Sequence, residues 1–285
     1  VAANPDEVAI RVNTRLVEVD VVVRDRNGPV KGLTKDDFTV LDNCGYLSMD
    51  KALGRGTVAV VDASDRRRIK STTYLESPAM VNVNESLEAH QGRKLVAAMK
   101  MGPPAQGTFD LYEATDCRRP VLKSSLVVPG FDGHAGRFTK DGRTYYGTSN
   151  SYNPPPKGDD GFIAVDVTDP AHASVITRWR SPVDVPPHDI AISEDMTRAY
   201  IGILGHPLRV PTDVHREANG MAILDISDIQ SRKPNPQVRV LGKLFWKDGG
   251  GGQVPIPMTI QGRPYAVMPD WTGPGGFVPE ATRNN

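Results

Sequence analysis

The chain has 285 residues, of which 39% are hydrophobic and 24% charged, and its 34 basic residues balance 34 acidic ones. A net charge of zero gives no electrostatic attraction to a polyanion, so the composition argues against a nucleic-acid partner. The sequence holds no apolar run approaching the ~18 residues of a membrane-spanning helix, so we expect no membrane span. Its 27 glycines and 24 prolines favour many turns over long helices.

Residues 1–46 are predicted to form a small β module and a linker. Over residues 17–24 valines alternate with mostly charged side chains, a pattern typical of a half-buried strand. Leu33–Asp37 predicts a single capped helical turn, and Phe38–Leu41 a returning strand. Residues 1–43 show no match to the repeat that follows, so we expect them to lie outside it.

Four later segments align without gaps, each an apolar run that ends in Asp or Glu, two residues and Asp. They are Val58–Asp65, Phe109–Asp116, Phe162–Asp169 and Met221–Asp228. Such a run is typical of a strand that pairs on both edges, and the Asp-x-Ser/Thr-Asp ending favours a turn. A spacing of roughly 50 residues with four short strands matches one blade of a β-propeller.

Hairpin signals before each apolar run supply the other strands of the repeat. Three complete blades are predicted, over about residues 82–128, 134–180 and 188–247. A fourth could be assembled from residues 56–77 and 253–269, a closure that would leave no free sheet edge. Alternatively, the array is cut short and a longer propeller needs more chain. We therefore predict an all-β fold, with a β-propeller of four detectable blades over residues 47–285.

The stretch Ile10–Asp25, followed by Gly32–Phe38, resembles the opening segment of the acidobacterial-type VWFA-related proteins, over residues 10–43. In that family a von Willebrand A domain with an Asp-x-Ser-x-Ser metal motif follows. Here Asp62-Ala-Ser-Asp65 is followed by Arg66, where the last Ser should stand. The same pattern also ends three further repeats, so we interpret it as the end of a blade strand.

About residues 47–275 resemble the LVIVD-repeat proteins, a group of predicted exported bacterial β-propellers. The matching stretches are Ser86–Arg93, Leu111–Arg118, Pro187–Ile190, Ile223–Asp228, Arg232–Val238 and Gln253–Pro257. The resemblance implies the fold and a secreted or periplasmic location, but no settled activity and no assigned catalytic residues. A first residue other than Met, Val1, is also what removal of a leader would produce.

Two cysteines, Cys44 and Cys117, stand outside any CxxC spacing. They could pair in an exported protein or remain two unrelated thiols. The sequence leaves both alternatives open.

The repeat alignment also places four polar residues at matching positions, nine or ten residues before the Arg of each hairpin turn. They are Asn84, His134, His188 and Gln253. Because the first strand of a blade lines the central channel, we expect these side chains to converge near its mouth, where Glu85 could add a carboxylate and Asp189 could orient His188. Two imidazoles within ~5 Å of each other could share one divalent metal ion, which makes His134 and His188 candidate metal ligands. The alternative is a structural role, in which polar side chains bind strand ends and water.

Two functions remain open at this stage. The leading hypothesis is an exported propeller that binds a protein or small-molecule ligand through its loop face, walled by the long loops Tyr152–Asp160 and Leu204–Asn219. The alternative is a metal-assisted hydrolase or oxidase at the channel mouth, using His134 and His188 as ligands or acid–base groups. The sequence has no G-x-S-x-G, HExxH or P-loop motif, so it assigns no catalytic residue and does not decide whether the protein is an enzyme.

Overall fold

The structure is a computed structural model with two compact units, residues 1–33 and 34–285. It describes residues 24–25, 28–29, 38–48, 56–65, 67–83, 85–101, 107–149, 161–181, 187–203, 219–246 and 252–269. In the first unit, strand β1 (Arg24–Asp25) pairs antiparallel with β2 (Gly28–Pro29). Apart from Arg24, the strand predicted over residues 17–24 lies outside the described residues, as does the predicted helical turn.

In the second unit the described residues form four antiparallel sheets of four strands each and one sheet of two strands. Sheet I has β3 (Phe38–Leu41), β4 (Cys44–Ser48), β5 (Val58–Asp62) and β6 (Lys70–Leu75). Sheet II has β7 (Glu88–His90), β8 (Leu95–Met99), β9 (Thr108–Glu113) and β10 (Val121–Val127). Sheet III has β11 (Gly133–Phe138), β12 (Thr144–Ser149), β13 (Gly161–Asp166) and β14 (Ser174–Arg180). Sheet IV has β15 (Pro187–Ile192), β16 (Arg198–Ile203), β17 (Asn219–Asp225) and β18 (Arg239–Trp246). Sheet V has β19 (Ile256–Ile260) and β20 (Arg263–Val267).

Within each four-stranded sheet the strands follow one another in chain order, and the first strands of successive sheets contact one another. The described helical segments are short: a helix, α1 (Ser227–Gln230), and 3₁₀ turns at Pro78–Met80 and Pro170–His172. This arrangement is a β-propeller, with the first strands innermost. The predicted all-β fold class is confirmed.

The apolar repeat runs form the third strand of each four-stranded sheet, where they pair on both edges. Three of the four runs end at an Asp whose side chain takes over a backbone bond from the ladder: Asp62, Asp166 and Asp225 each accept a hydrogen bond from the N–H two residues on, at 2.8–3.0 Å. Strand β5 therefore ends at Asp62 in the same way as its counterparts. The interpretation of Asp62–Asp65 as a blade terminus is confirmed.

Sheet I corrects two predictions. Strand β3 pairs with β4, and β4 pairs with β5, so the prediction that residues 1–43 lie outside the repeat is wrong for residues 38–43. The predicted domain boundary between residues 46 and 47 falls inside β4. The physical reason is a two-residue hairpin turn at Asp42-Asn43, in which Asp42 adopts a φ of 53° that Asp tolerates better than most residues.

The proposed closure of residues 56–77 with 253–269 is also wrong. Strands β3 and β4 supply the half of sheet I that the closure was to provide, and β19 and β20 pair with each other. The described part of the chain therefore forms four complete blades and two strands of a fifth.

A disulfide joins Cys44 to Cys117, which settles the alternative left open by the sequence. Cys44 begins β4 in sheet I, and Cys117 lies in the turn after β9 in sheet II. Next to the disulfide, the Tyr46 hydroxyl donates to the Cys117 carbonyl at 2.7 Å. The covalent link thus ties the first two blades together near their outer turns.

The hydrophobic core lies between the sheets, in three clusters that each join residues of neighbouring blades. Tyr46 and Val60 pack with Val96 between sheets I and II. Equivalent clusters join sheets II and III around Phe109, and sheets III and IV around Phe162. Each blade is therefore held face to face with the next, which fixes where its inner strand stands.

Candidate metal centre

The inner strands of sheets III and IV each contain a β-bulge at the equivalent position. In sheet III the pairing register shifts between Gly133 and Gly136, and in sheet IV it shifts between Pro187 and Ile190. In each sheet two residues therefore oppose one residue of the neighbouring strand. His134 and His188 are the first of those two residues, so the two imidazoles start from equivalent backbone positions.

The pairing register assigns the matching position in sheet II to Glu85. Glu88, Arg137 and Ala191 each pair with the third residue of the second strand of their sheet. Three residues before them stand Glu85, His134 and His188.

The sequence alignment was therefore one residue out in sheet II. It matched Arg93 with Arg143, whereas Lys94 is the residue directly before the second strand, as Arg143 is in sheet III. Asn84, which the alignment had placed in the ring, lies outside the described residues.

The side chains of Glu85, His134 and His188 converge. The two imidazole centroids lie 4.6 Å apart with an angle of 66° between the rings. His134 Nε2 lies 3.9 Å from Glu85 Oε2, and one ligand atom from each of the three residues lies within 4.8 Å of the other two. His188 is fully buried and His134 nearly so, whereas the Glu85 side chain is 17% exposed.

Gln253 lies in the next inner segment, after sheet IV, and is buried. Its backbone carbonyl approaches Gly202, the residue that opposes the bulge of sheet IV; a Cβ on Gly202 would lie 1.8 Å from that oxygen. Thr148 opposes the bulge of sheet III in the same way, and its hydroxyl donates to the His188 carbonyl at 2.9 Å. The backbone contacts thus make Gln253 the equivalent of His188 in the next inner segment, as the sequence alignment predicted. A role of Gln253 in ligand binding stays a prediction.

A partly buried ion network lies beside the three converging side chains, and the sequence did not predict it. The Arg137 guanidinium contacts Glu88 Oε2 through one nitrogen and Asp189 Oδ2 through another, each at 3.2 Å. Asp189 Oδ1 also accepts the Ile190 N–H at 2.6 Å. Glu88 and Arg137 stand three residues after Glu85 and His134 in the sequence. This equivalence becomes recognisable only when the pairing register of the strands is known.

Burial determines the charge of these groups. It lowers the pKa of His134 from 6.5 to about 3, with a smaller contribution from His188, so the His134 imidazole is neutral at neutral pH. Burial also raises the pKa of Glu88, against the opposing effect of Arg137. The pKa of Arg137 is raised, mainly by Asp189, so its guanidinium stays charged.

The donor set fits a divalent transition-metal ion. Two imidazoles and one carboxylate are ligands that zinc and iron(II) accept in proteins. Three carboxyl groups, those of Glu85, Glu88 and Asp189, lie here with one guanidinium, that of Arg137, so acidic side chains outnumber basic ones around a bound cation. Ligand atoms around tetrahedral zinc lie about 3.4 Å apart, given bonds of about 2.0–2.1 Å, so the three side chains would have to draw together by roughly 1 Å.

Other predicted site features cannot be placed. The two long loops expected to wall a cleft, residues 152–160 and 204–219, lie outside the described residues except for Asn219, which begins β17. Among the described residues, no helix is long and apolar enough to cross a membrane.

Neither a protein-family model nor a curated protein sequence matches this chain. The LVIVD-repeat and VWFA-related resemblances therefore stay predictions.

Solved structures that resemble the chain are β-propeller proteins. A putative 6-phosphogluconolactonase from Bacteroides fragilis aligns with a TM-score of 0.50 and 14% identity, over 74% of this chain and 56% of that one. The periplasmic gluconolactonase PpgL of Pseudomonas aeruginosa aligns with a TM-score of 0.49 and 12% identity, over 75% of this chain and 56% of that one. The Swd1 β-propeller domain of Myceliophteria thermophila aligns with a TM-score of 0.49 and 9% identity, over 74% of this chain and 59% of that one. The chain spans little more than half the length of these proteins, and at such identities the likeness shows the fold alone.

Proposed function

We propose that this chain is a metal-binding β-propeller that holds one divalent transition-metal ion through Glu85, His134 and His188. The observation that carries the proposal is the convergence of two imidazoles and a carboxylate from equivalent positions of three successive blades, with ligand atoms within 4.8 Å. The ion would lie between the inner segments of three successive blades.

The charge state of the site supports a cation rather than an anion. The neutral His134 imidazole keeps a nitrogen lone pair that can bind a metal, and the neighbouring carboxylates outnumber Arg137. Three protein ligands would leave a coordination position for an exogenous molecule, as in catalytic zinc sites. The ring is therefore suited to bind a small polar ligand through the ion.

Metal analysis of the purified protein tests the proposal. The chain should bind one equivalent of Zn²⁺ or Co²⁺ per molecule, and the double variant His134→Ala/His188→Ala should lose it while keeping its circular-dichroism spectrum. His172→Ala is a matched control, because that imidazole is exposed and bonds Asp169 away from the ring. Equal metal content in the double variant and the parent would overturn the proposal.

A hydrolase is the second candidate, and the open coordination position favours it. A bound ion would supply a Lewis acid beside a site that Arg137 and two carboxylates line. Gluconolactone is a suitable first probe, because two of the structural neighbours are named as lactonases. Hydrolysis that depends on added metal and is lost in His188→Ala would support this candidate; no turnover in metal-loaded protein would leave a binding role only.

Export and a protein or small-molecule partner on the loop face complete the proposal. The Cys44–Cys117 disulfide supports export, since disulfides persist mainly in oxidising compartments. Membership of the LVIVD-repeat group would account for both the location and the fold. Fractionation of cells that express the protein from its native gene tests the location directly.

A further inference from the structure

Arg137 connects three blades at the candidate metal centre. It extends from β11 in sheet III and contacts Glu88 of β7 in sheet II and Asp189 of β15 in sheet IV. Its guanidinium also donates to the Gly136 carbonyl at 3.1 Å. These are the blades that supply the three candidate metal ligands.

The network follows the same repeat register as the ligands. Glu88, Arg137 and Ala191 are equivalent residues, each three positions beyond a ligand. Sheet IV carries the small Ala191 at this position, and its carboxylate comes instead from Asp189, the second residue of the bulge. In each of the three blades a residue of the ion network therefore lies within three positions of a candidate ligand.

Asp189 links the network to the metal ligand His188. Both residues belong to one bulge, and one Asp189 oxygen accepts the Ile190 N–H while the other contacts Arg137. The carboxylate is nearly fully buried, so its orientation is set by those two contacts. Loss of Arg137 would free the carboxylate and, with it, the bulge from which the His188 side chain extends.

Electrostatics alone does not explain an arginine at this place. A guanidinium beside a cation site weakens cation binding by Coulomb repulsion. The planar guanidinium can, however, bond two carboxylates at once, which an ammonium group cannot do with the same geometry. The arrangement is therefore suited to fix distances between strands rather than to add affinity through charge.

We propose that Arg137 is the positioning residue of the metal centre, which fixes the spacing of His134 and His188 before any ion binds. The inference rests on the proposed metal-binding function for its biological meaning, but the spacing itself is a property of the metal-free protein. Arg137 acts through Glu88 and Asp189 and does not itself bind the ion.

The first experiment uses metal-free protein in chelator. The two rings lie close enough to give an NMR cross-peak between their carbon-bound protons, and Arg137→Met should lose this cross-peak. Arg137→Lys keeps the charge but not the double contact, so it should lose the cross-peak too. Arg178→Met is the matched control, because Arg178 lies in the same blade and donates to the Pro129 carbonyl away from the ring. If Arg137→Met fails to fold, Asp189→Asn tests the same link, since it keeps the side chain's shape.

The second experiment measures Co²⁺ binding and the Co²⁺ absorption spectrum, which reports ligand geometry. Loss of a residue that positions a ligand typically costs 10- to 100-fold in metal affinity, so Arg137→Met and Asp189→Asn should weaken Co²⁺ binding by about that factor and alter the spectrum. A purely structural role would lower the melting temperature and leave both readouts of the folded protein unchanged.

The two experiments separate the two proposals. A parent protein with the ring–ring cross-peak but no Co²⁺ binding would overturn the metal function and leave the positioning role standing. Variants that keep the cross-peak and the affinity, or that bind Co²⁺ more tightly, would overturn the positioning role alone.

Discussion

At the scale of single residues, the burial of His134 has a consequence for stability against pH. Its pKa is about 3 in the folded protein and near 6.5 in the unfolded chain, so only the unfolded state takes up this proton as the pH falls between those values. The stabilisation is therefore complete above about pH 6.5 and should be lost at about 1.4 kcal/mol per pH unit below it.

Urea unfolding of metal-free protein at several pH values between 4 and 7 (about the range in which an ordinary histidine titrates) checks this expectation. His134→Asn cannot take up the proton. Its free energy of unfolding should therefore fall less steeply with decreasing pH, by about 1.4 kcal/mol per pH unit. Parallel curves for the two proteins would contradict the assignment of the pH dependence to His134.

Gly202 is a second residue for which the surrounding structure gives a prediction, because it leaves no room for a side chain. A Cβ at Gly202 would lie 1.8 Å from the Gln253 carbonyl oxygen, whereas a Cβ at Gly242 would meet nothing within 4 Å. Gly202→Ala should therefore destabilise the fold by about 2 kcal/mol or more, and Gly242→Ala should be within about 0.5 kcal/mol of the parent. Chemical denaturation of the pair gives the comparison, and equal losses for both variants would rule out the close approach.

The sequence allowed part of the site to be predicted at this scale. His134 and His188 were found because repeats align their strands, and both fall on the same bulge. Glu85 was noted as an accessory carboxylate and not as their equivalent, because the turn before β8 places Lys94, rather than Arg93, directly before the strand. Arg137 was missed because an ion pair between blades depends on distances that an alignment does not contain.

At the scale of secondary-structure elements, the apolar third strands were predictable and the first two strands of sheet I were not. The third strands combine a strong apolar run with an Asp-terminated end. Strands β3 and β4 are joined by Asp42-Asn43, a short turn that lacks the Gln-Gly or Asp-Gly pair by which three of the other hairpins were recognised. The weaker turn signal led to the placement of residues 38–43 outside the repeat.

The disulfide between β4 and the turn after β9 gives a prediction for these elements. It closes a loop with a sequence separation of 73 residues, and a native disulfide of this kind typically contributes about 2–4 kcal/mol by restricting the unfolded chain. Cys44→Ser/Cys117→Ser should lower the unfolding free energy by about that amount in denaturant titrations. A reducing agent should lower the stability of the parent to the same level, and should have no effect on the variant.

At the scale of the whole molecule, the candidate metal centre draws its ligands from sheets II, III and IV and so bridges two blade interfaces. An ion whose free concentration is about 100 times its dissociation constant stabilises the folded state by about 2.7 kcal/mol. We expect Zn²⁺ to raise the melting temperature and to slow amide exchange in β11 and β15 together, with little change in the outer strands β10 and β14. Protection confined to one blade would contradict a site shared between them.

Sheet V shows how far the described architecture extends. Its two strands expose Ile256, Met258, Tyr265 and Val267, each more than 40% accessible. The sequence indicated the hairpin correctly, since Gln261-Gly262 lies between two strand-like runs, but its pairing partner could not be predicted from a pattern shared by every blade.

The shared bulge has a consequence for how such a site arises and changes. Because successive blades repeat the backbone that carries a candidate ligand, a point mutation at that position changes only which side chain the blade presents. A site made this way can be re-composed one blade at a time: Glu85→His would put a third imidazole on the ring, and His188→Glu a second carboxylate, with no change in main-chain geometry. The blades therefore present equivalent backbone positions, and the side chains at those positions, rather than the fold, would decide which ion the proposed site selects.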